Sequence, residues 1–199
     1  MKLIGLTGGI GSGKSSVSTR LVEKGAVLID ADAIVREVQR PGHAVFDAMV
    51  ERFGRGILAA DGSLDRQAVA DMVFSDGAAL ADLNAIVHPA VSAEIATRLA
   101  AEVGTDHVVV LDVPLLVESG RGDLTALLVV DVDPELAVAR LVEHRGFRED
   151  DVRARMARQV SREERVARAD RVIDNAGTPA DLDRAVDEVW DWIETLPHS

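Results

Sequence analysis

Short apolar runs that do not alternate with polar residues recur along the chain and predict buried strands. Four such runs and a weaker fifth lie at residues 2–6, 26–29, 108–111, 127–130 and 171–173. Strands that are covered on both faces show continuous apolar runs of this kind, which is typical of parallel sheets. The pattern therefore predicts an α/β fold with a parallel sheet.

Helical periodicity is clearest in two segments. Residues 15–24 place Val17 and Leu21 on one face, and Gly25 follows as a stop signal. The order of strand, glycine turn, helix and strand is the unit from which parallel α/β proteins are built. Near the carboxyl end, Thr178 precedes a proline and an acidic residue, which predicts an N-cap and a helix that packs on the core.

A long segment separates the second and third predicted strands. It covers residues 33–104, far more than a crossover helix requires, and its pattern is mostly helical with interruptions at 41–42 and 61–62. We expect a helical substrate-binding insertion in a single domain whose core consists of residues 1–32 and 105–199.

Composition and charge exclude several classes of function. The chain has 199 residues, of which 47% are hydrophobic and 28% are charged, and no apolar run approaches the roughly 18 residues of a membrane span. The absence of cysteine excludes disulfides, thiolate zinc sites and thiol nucleophiles. A net charge of −12 and 3% aromatic residues argue against a nucleic-acid partner. The first apolar stretch is too short for a signal peptide, so we expect a cytoplasmic protein with no membrane association and no obligatory protein partner.

The chain carries a complete phosphate-loop motif. Residues 8–15 read GGIGSGKS, which matches GxxxxGK[ST], and they lie between the first predicted strand and the first predicted helix. Glycines allow the backbone N–H groups to turn inward as an anion nest, to which a helix N-terminus adds partial positive charge. The alternative is a glycine-rich surface turn with a solvated lysine, but such a match arises by chance only roughly once in a hundred chains of this length.

Lys14 and Ser15 end this motif and have separate predicted roles. Lys14 is expected to reach the β and γ phosphates of a nucleotide as a point charge. The Ser15 hydroxyl is expected to supply one oxygen ligand to Mg²⁺, whose other ligands are waters and phosphate oxygens. The motif therefore predicts a nucleotide site that uses magnesium.

Two carboxylates follow the second predicted strand, where open parallel sheets bind their ligands. Asp30 is predicted to cap a helix that starts near residue 33, and Asp32 is predicted to be the chemical group. A carboxylate that faces the γ phosphate can accept the proton of an attacking hydroxyl.

Asp112 closes the third predicted strand, VVVLD, and two interpretations of it remain open. An apolar run that ends in aspartate is the pattern of a magnesium-binding Walker B strand, but the same residue also suits an ordinary cap of the next turn. The following residues 113–118 are too apolar for an exposed loop, and we expect them to line a wall near the substrate.

An arginine-rich segment follows the fourth predicted strand. Between residues 140 and 168 nine arginines and six acidic residues give a local charge of +3 in an otherwise acidic chain. Part of the pattern fits a solvated helix face, because two Glu–Arg pairs have favourable i,i+4 spacing. The positive excess predicts a mobile lid over the phosphates at about residues 143–166, with Arg140 and Arg145 near its hinge.

With these features the chain resembles the dephospho-coenzyme A kinase family over essentially its full length. The resemblance rests on the phosphate loop together with further elements in a specific order: Asp30-Ala31-Asp32, His88-Pro89, Pro114-Leu115-Leu116-Val117-Glu118, Gln159 and ADRVIDN at residues 169–175. His88-Pro89 is also expected to mark the start of a helix, because proline restricts the residue before it. Ser16 stands where many members have threonine, a change that keeps the hydroxyl.

The resemblance implies a fold, a reaction and a set of roles. It implies a three-layer P-loop fold like that of nucleoside monophosphate kinases, with a five-stranded parallel sheet, a helical substrate domain and a lid. It implies ATP-dependent phosphorylation of the ribose 3′-hydroxyl of dephospho-CoA, the last step of coenzyme A synthesis. Asp32, Lys14 and Arg140 match the family's base, phosphate clamp and transition-state stabiliser, and Asn175 falls near its adenine pocket. The candidate nucleotide contacts are Gly9, Gly11, Ser12, Gly13, Lys14, Ser15, Ser16, Arg145 and Asn175.

Three other functions are compatible with a phosphate loop. A GTP-dependent switch is disfavoured because the guanine-reading motif NKxD does not occur. Another small-molecule kinase of the same core, acting on nucleoside monophosphates or sugars, has the same loop and differs only in the insertion. A non-catalytic ATP-binding module would leave the candidate base and the arginine-rich segment without a purpose.

Overall fold

The structure is a computed structural model that describes residues 1–114 and 116–198, with side chains at all of these except 74, 75, 118 and 119. The described strands are β1 Lys2–Gly8, β2 Val27–Asp30, β3 Val108–Asp112, β4 Ala126–Asp131 and β5 Arg171–Asp174. The described α-helices are α1 Lys14–Glu23, α2 Ala31–Val38, α3 Ala44–Phe53, α4 Arg66–Ser75, α5 Gly77–Glu102, α6 Leu116–Ser119, α7 Pro134–Arg145, α8 Glu149–Met156, α9 Arg162–Ala167 and α10 Pro179–Thr195. A 3₁₀ turn covers Arg55–Ile57.

The five strands form one sheet in the order β2-β3-β1-β4-β5. β1 pairs in parallel with both β3 and β4, and β4 pairs in parallel with β5. Because β1 has a neighbour on each side and is covered on both faces, all seven of its residues are buried. The predicted parallel sheet is thus confirmed. β5 lies at an edge, where Val172 is 42% exposed, which explains why its apolar pattern is the weakest.

Helices α1 and α10 pack on each other and on the sheet. Val17 and Leu21 of α1 and Ile193 of α10 are fully buried in a core that also contains Ile4 and Leu6 of β1. α10 begins with the predicted N-cap, which here is a full capping box between Thr178 and Asp181. These contacts hold the start of α1, and so the end of the phosphate loop, against the sheet.

The chain divides into two compact units. One consists of Met1–Ile29 together with the chain from Glu102 onward and contains the body of the sheet; the other is Asp30–Ala101 and contains most of α2 to α5. Within the second unit, the expectation that His88-Pro89 starts a helix is wrong. Pro89 lies inside the 26-residue helix α5, because residues of high helix propensity, several of them alanine, continue the helix on both sides of it.

No helix in the described part of the chain has both the length and the apolar composition that a membrane span requires. The 26 residues of α5 are long enough, but charged and polar side chains interrupt them.

Parallel strands bring their carboxyl ends to one edge of the sheet. β1 ends there at Gly8, β3 at Asp112, β4 at Asp131 and β5 at Asp174. The loops that follow these strands meet at the same edge, which is where open α/β sheets bind ligands.

Candidate active site

The phosphate loop links β1 to α1 in the conformation that the motif requires. Gly11 and Gly13 have φ values of 78° and 86°, in the left-handed region, and Gly13 is the N-cap of α1. The Ser12 N–H donates to the carbonyl oxygen of Gly9 at 3.0 Å and closes the turn. The loop therefore ends at the N-terminus of a helix, where free N–H groups and the helix dipole favour an anion.

The two left-handed glycines are also tightly packed. A Cβ atom at Gly11 would lie 2.9 Å from Cδ1 of Leu141 and 3.0 Å from the carbonyl oxygen of Ala137, both in α7. At Gly13 a Cβ atom would overlap the side-chain amide of Asn175. Neither conformation nor space tolerates a larger residue, so α7 and Asn175 support the shape of the loop.

Lys14 forms an ion pair with Asp112 at the end of β3. The side chains of Lys14 and Asp112 are 18% and 5% exposed, so the pair is largely shielded from solvent. β1 and β3 are neighbours in the sheet, which brings the loop that follows one strand to the residue that ends the other. Neither of the two interpretations of Asp112 from the sequence included this contact.

Arg140 and Asn175 connect α7 to the phosphate loop. Arg140 Nη1 donates to the carbonyl oxygen of Asn175 at 2.7 Å, and Asn175 Nδ2 donates to the carbonyl oxygen of Ser12 at 2.8 Å. The guanidinium of Arg140, matched by the resemblance to a transition-state stabiliser, is therefore partly engaged by Asn175 in this structure. The reason is that Asn175 follows an edge strand, and its carbonyl group accepts from the guanidinium.

Asp30 and Asp32 lie at the start of α2, and Asp30 is the helix cap, as predicted. The Asp30 side chain accepts a hydrogen bond from the Ala33 N–H at 2.9 Å and is the N-cap. Because the cap is Asp30, the helix begins at Ala31, two residues before the expected start. Asp32 lies in the first helical turn, where a carboxylate is stabilised by the helix dipole, and its side chain is exposed.

The remaining candidate residues are exposed. The side chains of Ser15 and Ser16 lie in the first turn of α1, and Arg145 is the last residue of α7. Of the apolar stretch at 113–118, Leu116 and Val117 are buried, whereas Leu115 and the side chain of Glu118 lie outside the described residues.

Some arginines of the arginine-rich segment form ion pairs with glutamates. Both predicted i,i+4 pairs are present, Arg153 with Glu149 and Arg168 with Glu164. Arg153 also forms two hydrogen bonds with Glu135 of α7, at 2.9 and 2.7 Å. These bonds raise the pKa of Arg153 and lower the pKa of the Glu135 carboxyl.

Two residues beside the loop were not among the predicted site residues. The Ile10 N–H donates to Oε1 of Gln159 at 3.1 Å, and Arg165 is buried next to Gly9. Gln159 belonged to the family-like pattern but had no assigned role. Nothing in the sequence distinguishes Arg165 from the eight other arginines of its segment.

Comparisons with known proteins show the family of this chain. The family model of dephospho-CoA kinase matches residues 2–181. The chain belongs to the dephospho-CoA kinase family. A dephospho-CoA kinase of Streptomyces avermitilis is 53% identical over 191 residues, which cover 96% of this chain and 93% of that protein.

A second sequence relative and one solved structure extend the comparison for this member of the dephospho-CoA kinase family. The dephospho-CoA kinase of Mycolicibacterium paratuberculosis is also 53% identical over 96% of this chain, but this chain spans only 47% of the length of that protein. The crystal structure of a protein from Thermus thermophilus superposes with a TM-score of 0.80 at 34% identity, covering 96% of this chain and 97% of the other. The five-stranded kinase fold expected from the resemblance is confirmed.

Proposed function

We propose that this protein transfers the γ-phosphoryl group of ATP to the ribose 3′-hydroxyl of dephospho-CoA, giving coenzyme A and ADP. The observation that carries the proposal is a complete phosphate loop, in the anion-binding conformation, within a chain of the dephospho-CoA kinase family. A cytoplasmic location remains a prediction from the sequence.

The proposed reaction exchanges one bond to phosphorus for another. The 3′-hydroxyl oxygen bonds to the γ phosphorus, the bond from that phosphorus to the β–γ bridging oxygen breaks, and ADP leaves with the electron pair. The hydroxyl proton passes to the carboxylate of Asp32. Lys14 moves from Asp112 to the phosphate oxygens, where its charge is worth more as the phosphoryl group transfers.

The site also fits a magnesium ion of the kind that accompanies ATP. In residues 1–114 and 116–198 no three His, Cys, Asp or Glu side chains form a metal cage. Mg²⁺ needs no such cage, because phosphates and waters supply most of its ligands. The Ser15 side chain is exposed at the start of α1 and would hold the ion. When bound, Mg²⁺ neutralises charge on the β and γ oxygens.

We expect Arg140→Ala to lower kcat, and Arg140→Lys to recover only part of the loss. The guanidinium joins Asn175 to the phosphate loop, and its planar fork can hold a carbonyl and a phosphate oxygen together, which an ammonium group does less well. Steady-state kinetics of the two variants measures the effect. Full activity of Arg140→Ala would remove this residue from the transition-state role.

We further propose that about residues 143–166 act as a lid. α8 packs on α7 through a small cluster of three buried residues, Val138, Leu141 and Val152, and most of its other side chains are exposed. A segment with so little buried apolar surface opens at low cost in free energy. Anionic ligands would draw its arginines inward.

Hydrogen exchange across residues 145–165 tests the lid. We expect fast exchange in the ligand-free protein and slower exchange with an unreactive ATP analogue plus dephospho-CoA, because only a small apolar cluster holds the segment until its arginines bind an anion. Equal and high protection in both states would mean that the segment is a rigid surface element.

The identity of the product tests the proposed function. Purified protein is incubated with ATP, Mg²⁺ and dephospho-CoA, and the product is compared with authentic coenzyme A by chromatography and phosphorus NMR. We expect a monoester at the ribose 3′ position. Phosphorylation at another hydroxyl, or no phosphorylation, would rule the proposal out.

A further inference from the structure

Arg165 is a buried residue whose charge is neutralised by no ion pair with another described residue. The residue is 8% exposed, and within the described ranges 1–114 and 116–198 no oxygen accepts a hydrogen bond from its guanidinium, whose nitrogens keep some contact with solvent. Its neighbours differ: Arg162 is paired with Asp131 and Arg168 with Glu164. Buried arginines are usually paired, so the open hydrogen-bonding capacity of this guanidinium makes it a candidate for an anion that the protein chain does not itself supply.

The guanidinium of Arg165 lies against the strand end of the phosphate loop. A Cβ atom at Gly9 would be 3.1 Å from Nη2 of Arg165, so glycine is what allows this approach. The adjacent hydrogen bond from the Ile10 N–H to Gln159 fixes the segment before α9 at the same place. Loop and arginine are therefore held together in the structure.

Both groups line a cavity of ≈ 320 Å³ whose charge is positive. Its charged lining residues are Asp131, Arg162 and Arg165. Asp131 is neutralised by Arg162, with N···O distances of 3.0, 3.0 and 2.6 Å, which leaves the charge of Arg165 uncompensated. The hydroxyl oxygen of Ser12, another lining residue, is buried without a hydrogen-bond partner. The positive lining and the unpartnered hydroxyl suit this cavity to an anion, although the whole chain carries a net charge of −12.

We propose that Arg165 binds the terminal phosphate of the nucleoside triphosphate, an inference that rests on the proposed function. The N–H groups at the helix end of a phosphate loop hold the inner phosphates. A cation at the other end of the loop, beside Gly9, then faces the outermost one. The planar guanidinium fork donates two parallel hydrogen bonds to phosphate oxygens. Gln159 is a positioning residue that keeps the segment on the loop.

The test compares Arg165→Met, Arg165→Lys and the matched control Arg168→Gln in the full chain. Calorimetric titration with an unreactive ATP analogue and with ADP measures the two affinities. We expect Arg165→Met to weaken analogue binding by about tenfold or more and ADP binding by less than about twofold. Arg165→Lys should recover part of the loss, and Arg168→Gln should bind both ligands like the wild type.

Thermal unfolding without ligand separates binding from a structural role. Arg165→Met removes a charge that no described acidic residue neutralises, so its unfolding temperature should equal or exceed that of the wild type. A lower unfolding temperature with unchanged affinity for the analogue would make Arg165 structural and overturn the inference. Equal weakening of analogue and ADP would overturn the assignment to the terminal phosphate.

The experiments distinguish an error in the proposed function from an error in the role of Arg165. If the wild type binds the analogue in an Arg165-dependent way but does not phosphorylate dephospho-CoA, the proposed acceptor is wrong and Arg165 keeps its role. If the wild type makes coenzyme A and Arg165→Met matches it in kcat and in affinity for the analogue, the inference about Arg165 is wrong.

Discussion

Replacing Lys14 by alanine is expected to lower kcat for phosphoryl transfer by about 10²–10³, the loss typical of removing one preorganised electrostatic group. The lysine ends the phosphate loop, and its charge opposes the charge that develops on the transferring phosphoryl group. The substitution also removes one ion pair of Asp112, whose side chain is 5% exposed. We therefore expect a folded protein with a lower unfolding temperature.

Two variants separate the loss of catalysis from the loss of stability. Lys24→Ala removes a lysine that pairs with Asp187 elsewhere on the same unit, and it should retain full activity. Lys14→Ala combined with Asp112→Asn removes both charges, so it should regain stability without regaining activity. Turnover of Lys14→Ala within a few fold of the wild type would contradict the assignment of the phosphate loop.

Asp32→Asn is expected to reduce kcat by about 10²–10⁴, with a much smaller change in KM for dephospho-CoA. The amide keeps the shape of the carboxylate but cannot accept the proton of the attacking hydroxyl. Asp32 is exposed in the first turn of α2 and is not its cap, so the substitution should leave the helix intact. Steady-state kinetics with dephospho-CoA as the varied substrate measures both constants.

Asp30→Asn is the matched control for Asp32→Asn. Asn caps helices about as well as Asp, so the hydrogen bond to the Ala33 N–H should survive and activity should change little. Greater damage from Asp30→Asn than from Asp32→Asn would reverse the division between cap and base.

Local signals predicted much of the fold. Continuous apolar runs indicate β1, β3 and β4 because strands buried on both faces have few polar positions. The edge strands β2 and β5 are shorter and less buried. Thr178 and Asp30 were identifiable as caps because capping depends on a few adjacent residues. The phosphate loop was predicted for the same reason: its glycines, lysine and serine are contiguous in the sequence. Pro89 was misassigned because its effect depends on how strongly the flanking residues favour a helix.

The long-range contacts of the site could not be predicted in the same way. The pairing of Lys14 with Asp112 depends on β3 lying beside β1, and no local sequence pattern predicts the order of the strands in the sheet. The contact of Arg140 with Asn175 likewise depends on the end of β5 approaching α7. Arg165 resembles its neighbours in sequence and differs from them only in burial and in the absence of a partner within the described residues.

An ADP-release assay with competing acceptors tests whether dephospho-CoA is the substrate that this protein phosphorylates. The wild type and Lys14→Ala are supplied with ATP and Mg²⁺ and, in turn, with dephospho-CoA, AMP, adenosine or shikimate at equal concentration. We expect rapid ADP release with dephospho-CoA, ADP release little above background with the other three acceptors, and loss of the dephospho-CoA signal in Lys14→Ala. Faster release with AMP, adenosine or shikimate than with dephospho-CoA would contradict this expectation and would assign the phosphate loop to a kinase with a different acceptor.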